Sequence, residues 1–155
     1  MWKGSTFVSA LYNNTHCNAT AIDNWSAFSG SFSNFDSVAS KYITTPYSFI
    51  DADCFTTTVP DNAFTVYLFD GEHTYNAQRN AITYFWKNLA DVAIIIIDDW
   101  NWEDVRRGTF DGFKVVGANV VHKHEIRHTQ NKKHSPYYIA RPEFKNGVGI
   151  FVIQK

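Results

Sequence analysis

The sequence contains only two cysteines, Cys17 and Cys54, in 155 residues. Two cysteines without a CxxC spacing exclude both a disulfide framework and a cysteine metal knuckle. Free, buried thiols in a reducing compartment are therefore expected. The chain also has no apolar run of membrane-spanning length and no apolar leader after Met1. We accordingly predict a soluble, cytoplasmic protein.

The sequence also lacks an excess of either charge, since it contains 14 Lys and Arg and 15 Asp and Glu. The formal net charge of -1 gives no basis for bulk attraction to nucleic acid or to a membrane, so neither is an expected partner. Internal repeats and low-complexity tracts are absent as well. A hydrophobic content of 45% is enough for one compact domain over residues 1–155.

Two apolar runs, Val66–Phe69 and Val92–Ile97, each end abruptly in carboxylates. Asp70 follows the first run, and Asp98 and Asp99 follow the second. A segment of helical period lies between the runs, which predicts a right-handed βαβ unit with parallel strands. The carboxylates then share the sheet edge where α/β proteins bind ligands, and they would repel each other without a cation or protons.

The rest of the chain continues the alternation of helices and strands, which predicts an α/β fold. Helical patterns cover residues 7–14, the second half of 26–40, 76–90 and 103–116, with Asp98 or Asp99 as a possible N-cap of the last. Strand patterns cover Ala19–Ile22, Tyr47–Ile50, Ala118–His124 and Gly147–Ile153. The polar connection His128–Pro142 has no helical pattern, so the last two strands are predicted to form an antiparallel hairpin.

Three motifs, DGEHTY at 70–75, IIIIDDWNWEDVRRG at 94–108 and NGVGIFVIQK at 146–155, resemble class I S-adenosylmethionine-dependent methyltransferases. The branch they resemble is that of macrocin O-methyltransferase and the cephalosporin-hydroxylase-like proteins. The resemblance implies a Rossmann-like methyltransferase sheet, mostly parallel with a C-terminal antiparallel hairpin. It implies a divalent-metal-assisted O-methyltransferase whose acceptor is a sugar or another small hydroxylated molecule.

The same resemblance implies roles for residues at the sheet edge. Asp70, Asp98 and Asp99 match the family's metal ligands, and Mg2+ suits their hard oxygen atoms. His73 matches the general base, so His73 and Asp70 are the implied catalytic residues. Trp100 and Trp102 could stack on a sugar acceptor, although core packing explains them equally well.

The resemblance also implies an S-adenosylmethionine site. Asp23 matches the carboxylate that accepts ribose hydroxyls, and the other implied cofactor residues are Lys3, Gly4, Ser5, Thr6, Asp53, Cys54 and Phe55. The first Glu and Gly of the family's first motif, and the first strand, would precede Met1. We therefore expect an N-terminally truncated domain of low stability that could form a homo-oligomer by borrowing a strand.

Two other functions compete with this hypothesis. A catalytically inactive, methyltransferase-like remnant could act as an interaction module. A metal-dependent hydroxylase or hydrolase could use a second metal site formed by four histidines, namely His122, His124, His128 and His134. The spacing of these histidines matches no established zinc pattern, so the methyltransferase is favoured over the hydroxylase or hydrolase.

Overall fold

The computed structural model describes residues 4–27, 30–129, 134–135 and 145–155. The contacts divide the chain into two compact units, Met1–Thr58 and Val59–Lys155, which are described separately. The expectation of one domain over the whole chain stays a prediction. No helix in the described part of the chain is both long enough and apolar enough to cross a membrane.

The first unit contains two parallel strands and two helices. Its elements are α1 (Ser5–Leu11), β1 (Ala19–Asp23), α2 (Phe32–Tyr42), β2 (Tyr47–Asp51) and a 3-10 turn at Cys54–Thr56. Ser31 caps α2, because its hydroxyl accepts a hydrogen bond from the amide of Asn34. Phe35 is fully buried at the centre of this unit, where its ring contacts Phe7, Trp25, Phe32, Tyr47 and Phe49. Aromatic packing thus forms the core of this unit.

The second unit contains a four-stranded mixed sheet in the order β3-β4-β6-β5. Its elements are β3 (Phe64–Phe69), α3 (Tyr75–Phe85), a 3-10 turn at Trp86–Asn88, β4 (Leu89–Asp98), α4 (Glu103–Val116), β5 (Asn119–Ile126) and β6 (Val148–Gln154). β3 and β4 are parallel, whereas β6 is antiparallel to both β4 and β5. The predicted βαβ unit and the predicted C-terminal antiparallel hairpin are confirmed.

One face of this sheet packs against the helices. Phe151 of β6 contacts Phe110 and Phe113 of α4, and Tyr67 of β3 contacts Phe85 of α3. Because side chains alternate along a strand, the residues next to Phe151 and Tyr67 along β6 and β3 point to the opposite face of the sheet. That face carries four exposed apolar side chains, namely Val66, Leu68, Val92 and Ile94. The homo-oligomer that could form by borrowing a strand stays a prediction.

Three local predictions were wrong. The helix predicted over 76–90 ends at Phe85, and Leu89, placed on its apolar stripe, begins β4 instead. A single buried apolar residue such as Leu89 is compatible with both the helical and the strand pattern. The structure separates the two elements at Asn88, whose side chain donates to the carbonyl oxygen of Val59. α4 begins after Trp102, so neither Asp98 nor Asp99 is its N-cap. Of the two thiols expected to be buried, that of Cys17 is exposed.

Gly108 and Gly112 lie on the side of α4 that packs against α3. A Cβ at Gly108 would overlap the carbonyl oxygen of Tyr75, and one at Gly112 would lie 2.7 Å from Cβ of Ile82. The two glycines that weaken the helical pattern of α4 therefore allow the two helices to approach closely.

We expect Gly108→Ala to lower the free energy of unfolding by about 1–3 kcal/mol, because overpacking at this contact exceeds the gain in helix propensity. Urea unfolding followed by circular dichroism would measure the change. Val115→Ala on the exposed side of α4 is the matched control and should change stability by less than about 0.5 kcal/mol. Equal effects of the two substitutions would contradict the account of helix packing.

Candidate functional site

Strands β3 and β4 bring two carboxylates to the same sheet edge. Phe69 pairs with Ile97 in the parallel register, so Asp70 and Asp98, the residues that follow, lie at the carboxyl ends of neighbouring strands. The predicted convergence of these two residues is therefore present in the structure.

Asp99 adopts a left-handed backbone conformation, with φ 55°, directly after β4. Asp tolerates this conformation better than most residues, and here it starts a turn in which the amide of Trp102 donates to the carbonyl oxygen of Asp99. Arg106 fixes the turn, because its guanidinium donates to the carbonyl oxygens of Trp100 and Asn101, each at 2.7 Å. The Asp99 carboxyl is thereby held on a rigid support.

His73 lies just before α3 and reaches Asp99. Its Nε2 is 2.6 Å from Oδ2 of Asp99, and its ring stacks on the indole of Trp102 with 6.2 Å between the ring centroids. The side chain of Thr74 caps α3 by accepting from the amide of Ala77. Gln78 is buried and donates to the carbonyl oxygen of Glu72 at 2.9 Å, which holds the segment before the helix.

The ligating atoms of Asp70, His73 and Asp99 all lie within 4.8 Å of one another. In the described part of the chain these three residues form the group that could hold a metal ion. Asp98 is not one of the three, although it precedes Asp99 at the end of β4. His73 therefore lies beside two of the three predicted ligands, Asp70 and Asp99. The carboxylate oxygens of this group are ligands that suit hard divalent cations.

Burial and mutual repulsion raise the pKa of the acidic pair. The pKa of Asp70 is raised to about 6, first by burial of its carboxyl among neighbouring atoms and then by the negative charges of Asp98 and Asp99. The residue as a whole is exposed to solvent, which screens part of this effect. Burial also raises the pKa of Asp98. The site is therefore electrostatically unfavourable when all of its carboxylates are ionised.

His73 and Asp99 form an ion pair in which the pKa of His73 is raised and the pKa of Asp99 is lowered. The hydrogen bond to Asp99 raises the pKa of His73, and the nearby carboxylates add to the effect. Burial alone would raise the pKa of Asp99, but the hydrogen bond and charge of His73, together with the amide of Asn146, lower it. Each partner thus favours the charged form of the other.

We expect Asp70→Asn to stabilise the metal-free protein at pH 7.5 but not at pH 4. A raised pKa means that the folded state favours the protonated carboxyl, so stability is lost as the pH rises from the unfolded value of 3.8 through about 6. Because solvent screens part of the repulsion, the expected gain is about 2–4 °C in Tm, or about 1 kcal/mol. Thermal unfolding at the two pH values would measure it, and an equal gain at both would refute the electrostatic cause.

The two predicted acceptor residues differ in their surroundings. Trp100 is 0% exposed, packs against Phe110 and Phe151, and donates from Nε1 to Glu125 at 2.9 Å. Its indole therefore has no face open to a sugar, and core packing explains it. Trp102 is half-buried between His73 and His134, and its Nε1 has no hydrogen-bond partner among the described residues.

The predicted cofactor residues fall in the first unit. Asp23 and Asp51 pair at the ends of β1 and β2, which places two carboxylates at the carboxyl edge of that sheet. Oδ1 of Asp23 accepts from the amide of Trp25, and Oδ1 of Asp53 accepts from the amide of Phe55, both at 2.8 Å.

The remaining cofactor predictions concern the start of α1 and the turn after β2. Gly4 precedes α1 with φ 76°, and Ser5 and Thr6 form its exposed first turn. Burial raises the pKa of the Cys54 thiol, which belongs to the 3-10 turn. Lys3 lies outside the described residues.

Four histidines do not form the second metal site considered above. His122 and His124 are exposed on β5, and His134 packs edge-on against Trp102, with 5.1 Å between the ring centroids. The backbone amide of His128 donates to the side chain of Asn101. Within residues 4–27, 30–129, 134–135 and 145–155, these histidines form no ligand cluster.

Two asparagines near the site were not predicted as site residues from the sequence. Asn101 is fully buried, donates from its side chain to Ser135, and accepts from the amides of His128 and Thr129. Asn146 donates from Nδ2 to Oδ1 of Asp99 at 2.6 Å. Asn146 precedes a glycine and a strand, a pattern typical of a turn, so the sequence carries no signal of its contact with Asp99.

Comparison with known proteins gives a family and a fold. A family profile described as "Methyltransferase domain" matches residues 1–100. No curated protein matches the chain significantly. The solved structures that resemble it include the [4+2]-cyclase SpnF, which has a TM-score of 0.64 and 12% identity over 99% of this chain and 71% of the other.

Two further structures are titled as methyltransferases. The N-methyltransferase NodS from Bradyrhizobium japonicum has a TM-score of 0.54 and 11% identity, with 97% of this chain and 93% of that chain covered. An S-adenosylmethionine-dependent methyltransferase from Mesorhizobium loti has a TM-score of 0.53 and 9% identity, with coverages of 99% and 98%. These similarities establish a Rossmann-like methyltransferase fold. Since the first structure is titled a cyclase, the fold alone does not define the reaction.

Proposed function

This chain belongs to the methyltransferase-domain family, and we propose that it is an S-adenosylmethionine-dependent O-methyltransferase assisted by a divalent metal. The proposed acceptor is a sugar or another small hydroxylated molecule. The observation that carries this proposal is the convergence of Asp70, His73 and Asp99 at the carboxyl edge of β3 and β4, with their ligating atoms within 4.8 Å of one another.

The donor set fits a divalent cation. Two carboxylates and one imidazole lie within 4.8 Å of one another at this edge, and the negative charges of Asp98 and Asp99 contribute to the raised pKa of Asp70. A cation held by Asp70, Asp98 and Asp99 would offset that repulsion, and Mg2+ is the candidate because it prefers hard oxygen ligands. When bound, Mg2+ supplies positive charge that lowers the pKa of the acceptor hydroxyl.

His73 is the proposed general base. Its Nε2 faces Oδ2 of Asp99, so the neutral ring would carry its proton on Nε2 and keep Nδ1 free to accept the proton of the acceptor hydroxyl. Asp99 stabilises the imidazolium that results. Trp102, stacked on the His73 ring, restricts the orientation of that ring.

Residues of the first unit are the proposed binding site for the methyl donor. S-adenosylmethionine supplies a methyl group on a positively charged sulfur, which leaves as a neutral thioether. Asp23 at the end of β1 is of the residue type that accepts ribose hydroxyls at this position in nucleotide-binding α/β units. The proposed adenine contacts are Asp53, Cys54 and Phe55, and those of the remaining part of the donor are Lys3, Gly4, Ser5 and Thr6.

Equilibrium dialysis with labelled S-adenosylmethionine, with and without Mg2+, tests donor binding. Methyl-labelled donor with a panel of sugars and vicinal diols then tests transfer. We expect saturable donor binding and Mg2+-dependent appearance of label on an acceptor oxygen. Saturable binding without transfer to any acceptor would favour an interaction module, and absence of donor binding by the folded protein would contradict the proposed enzyme.

A further inference from the structure

We propose that Asn146 is a positioning residue of the acceptor site, which fixes the Asp99 carboxylate and through it the His73 ring. This inference rests on the proposed function, in which Asp99 is a metal ligand and the partner of the base. Asn146 begins the motif at 146–155, to which the resemblance assigns no role in that site, and it lies 47 residues beyond Asp99 in the chain.

The two oxygens of Asp99 have different partners. Nδ2 of Asn146 donates to Oδ1 at 2.6 Å, whereas Nε2 of His73 is 2.6 Å from Oδ2. A carboxylate held at both oxygens cannot rotate about its terminal bond without breaking one of the two contacts. The amide of Asn146 thus fixes the plane in which the Asp99 carboxylate faces His73.

Asn146 is itself held in place. The backbone amide of Asn101 donates to the backbone carbonyl oxygen of Asn146 at 2.7 Å. The side-chain oxygen of Asn146 accepts from the backbone amide of Ser135 at 3.3 Å. Because an amide oxygen accepts and an amide nitrogen donates, the contact with Ser135 orients Nδ2 toward Asp99. The neighbouring Gly147 has φ 83°, and its carbonyl oxygen accepts from the amide of Trp100, so the backbone of both Asn146 and Gly147 is bonded to the turn that carries Asp99.

This arrangement is the kind of outer contact that orients a metal ligand. Substitution of such partners commonly weakens metal binding by about 10–100-fold. Asn146→Leu keeps the approximate side-chain volume but removes both the donor and the acceptor. We expect it to weaken Mn2+ binding by about 10–100-fold while the far-ultraviolet circular dichroism spectrum stays that of the wild type.

The measurement combines two readouts on the full chain. Electron paramagnetic resonance of Mn2+ gives the dissociation constant, and the ring 15N shifts of His73 in metal-free protein at one fixed pH give the state of the His73–Asp99 pair. Asn146→Leu should move the His73 shifts toward those of a solvent-exposed histidine such as His124. Asn80→Leu, at an exposed position of α3, is the control and should change neither readout.

A second variant covers the case in which Asn146→Leu does not fold. Asn146→Asp preserves the shape and the acceptor for Ser135, but places an oxygen against Oδ1 of Asp99, so the His73 shifts should again move. Wild-type His73 shifts in a folded Asn146 variant would overturn the inference. If the wild-type protein binds no Mn2+, the metal part of the proposed function fails, while the His73 shifts still decide the role of Asn146.

Discussion

Replacing His73 with glutamine is expected to lower kcat for methyl transfer by about 10²–10⁴-fold, the usual contribution of a general base. Glutamine can still donate to Asp99 but cannot accept a proton at neutral pH. The pKa of His73 is raised by the hydrogen bond to Asp99, so wild-type activity should rise with pH as the ring loses its proton above its ordinary range. The variant should lack that rise.

The pH–rate profile of both proteins, measured with the acceptor found in the transfer assay, tests this expectation. His124→Gln, on the exposed β5, is the matched control and should retain wild-type kcat and the same pH dependence. A His73→Gln enzyme that keeps the ascending limb of the profile would exclude His73 as the base, even if its rate were reduced.

Replacing Asp99 with alanine is expected to have the second large effect, a loss of Mn2+ affinity of at least about 100-fold. The substitution removes a proposed ligand, and it also frees both His73 and Asn146 from their common partner. Mg2+ should then no longer stimulate methyl transfer.

Titration of Mn2+ into wild-type and variant protein would measure the loss. Asp91→Ala is the matched control, because Asp91 is an exposed aspartate near the other end of the same strand. Equal Mn2+ affinity for wild type and Asp99→Ala would remove Asp99 from the ligand set. A loss of affinity in both variants would instead indicate non-specific binding to surface carboxylates.

The sequence alone was sufficient to predict the part of the site that depends on local pattern. Apolar runs that stop at Asp70 and at Asp98 give the strand ends, and a helix between them makes the strands parallel. His73 was implied by the family resemblance of DGEHTY, and it lies only three residues after Asp70, just before the helix. These features need no information about distant parts of the chain.

Contacts between distant segments were beyond prediction. Asn146 reaches Asp99 because β6 runs antiparallel to β4, which places Val148 opposite Asp98. Trp100 is buried because Gly149 leaves space for its indole, where a Cβ would lie 2.7 Å from the ring. No residue type or spacing near Trp100 indicates a glycine on a strand that follows much later in the chain.

The boundary between α3 and β4 was mispredicted for a different reason. Leu89 is 2% exposed, and its position fits both the apolar stripe of the helix before it and the apolar pattern of the strand after it. Only the tertiary contacts of Asn88 separate the two, because its side-chain amide donates to the carbonyl oxygens of Val59 and Pro60 at 2.7 and 3.2 Å. Periodicity cannot decide between elements when a buried residue lies at their junction.

The central claim is that the edge formed by β3 and β4 is a divalent-metal site. Crystals soaked in Mn2+ and measured at an energy where manganese scatters anomalously test it most directly. The account predicts one strong anomalous peak bonded to carboxylate oxygens of Asp70, Asp98 and Asp99, at about 2.0–2.2 Å. A map with no peak at this edge, or with its strongest peak elsewhere on the protein, would contradict it.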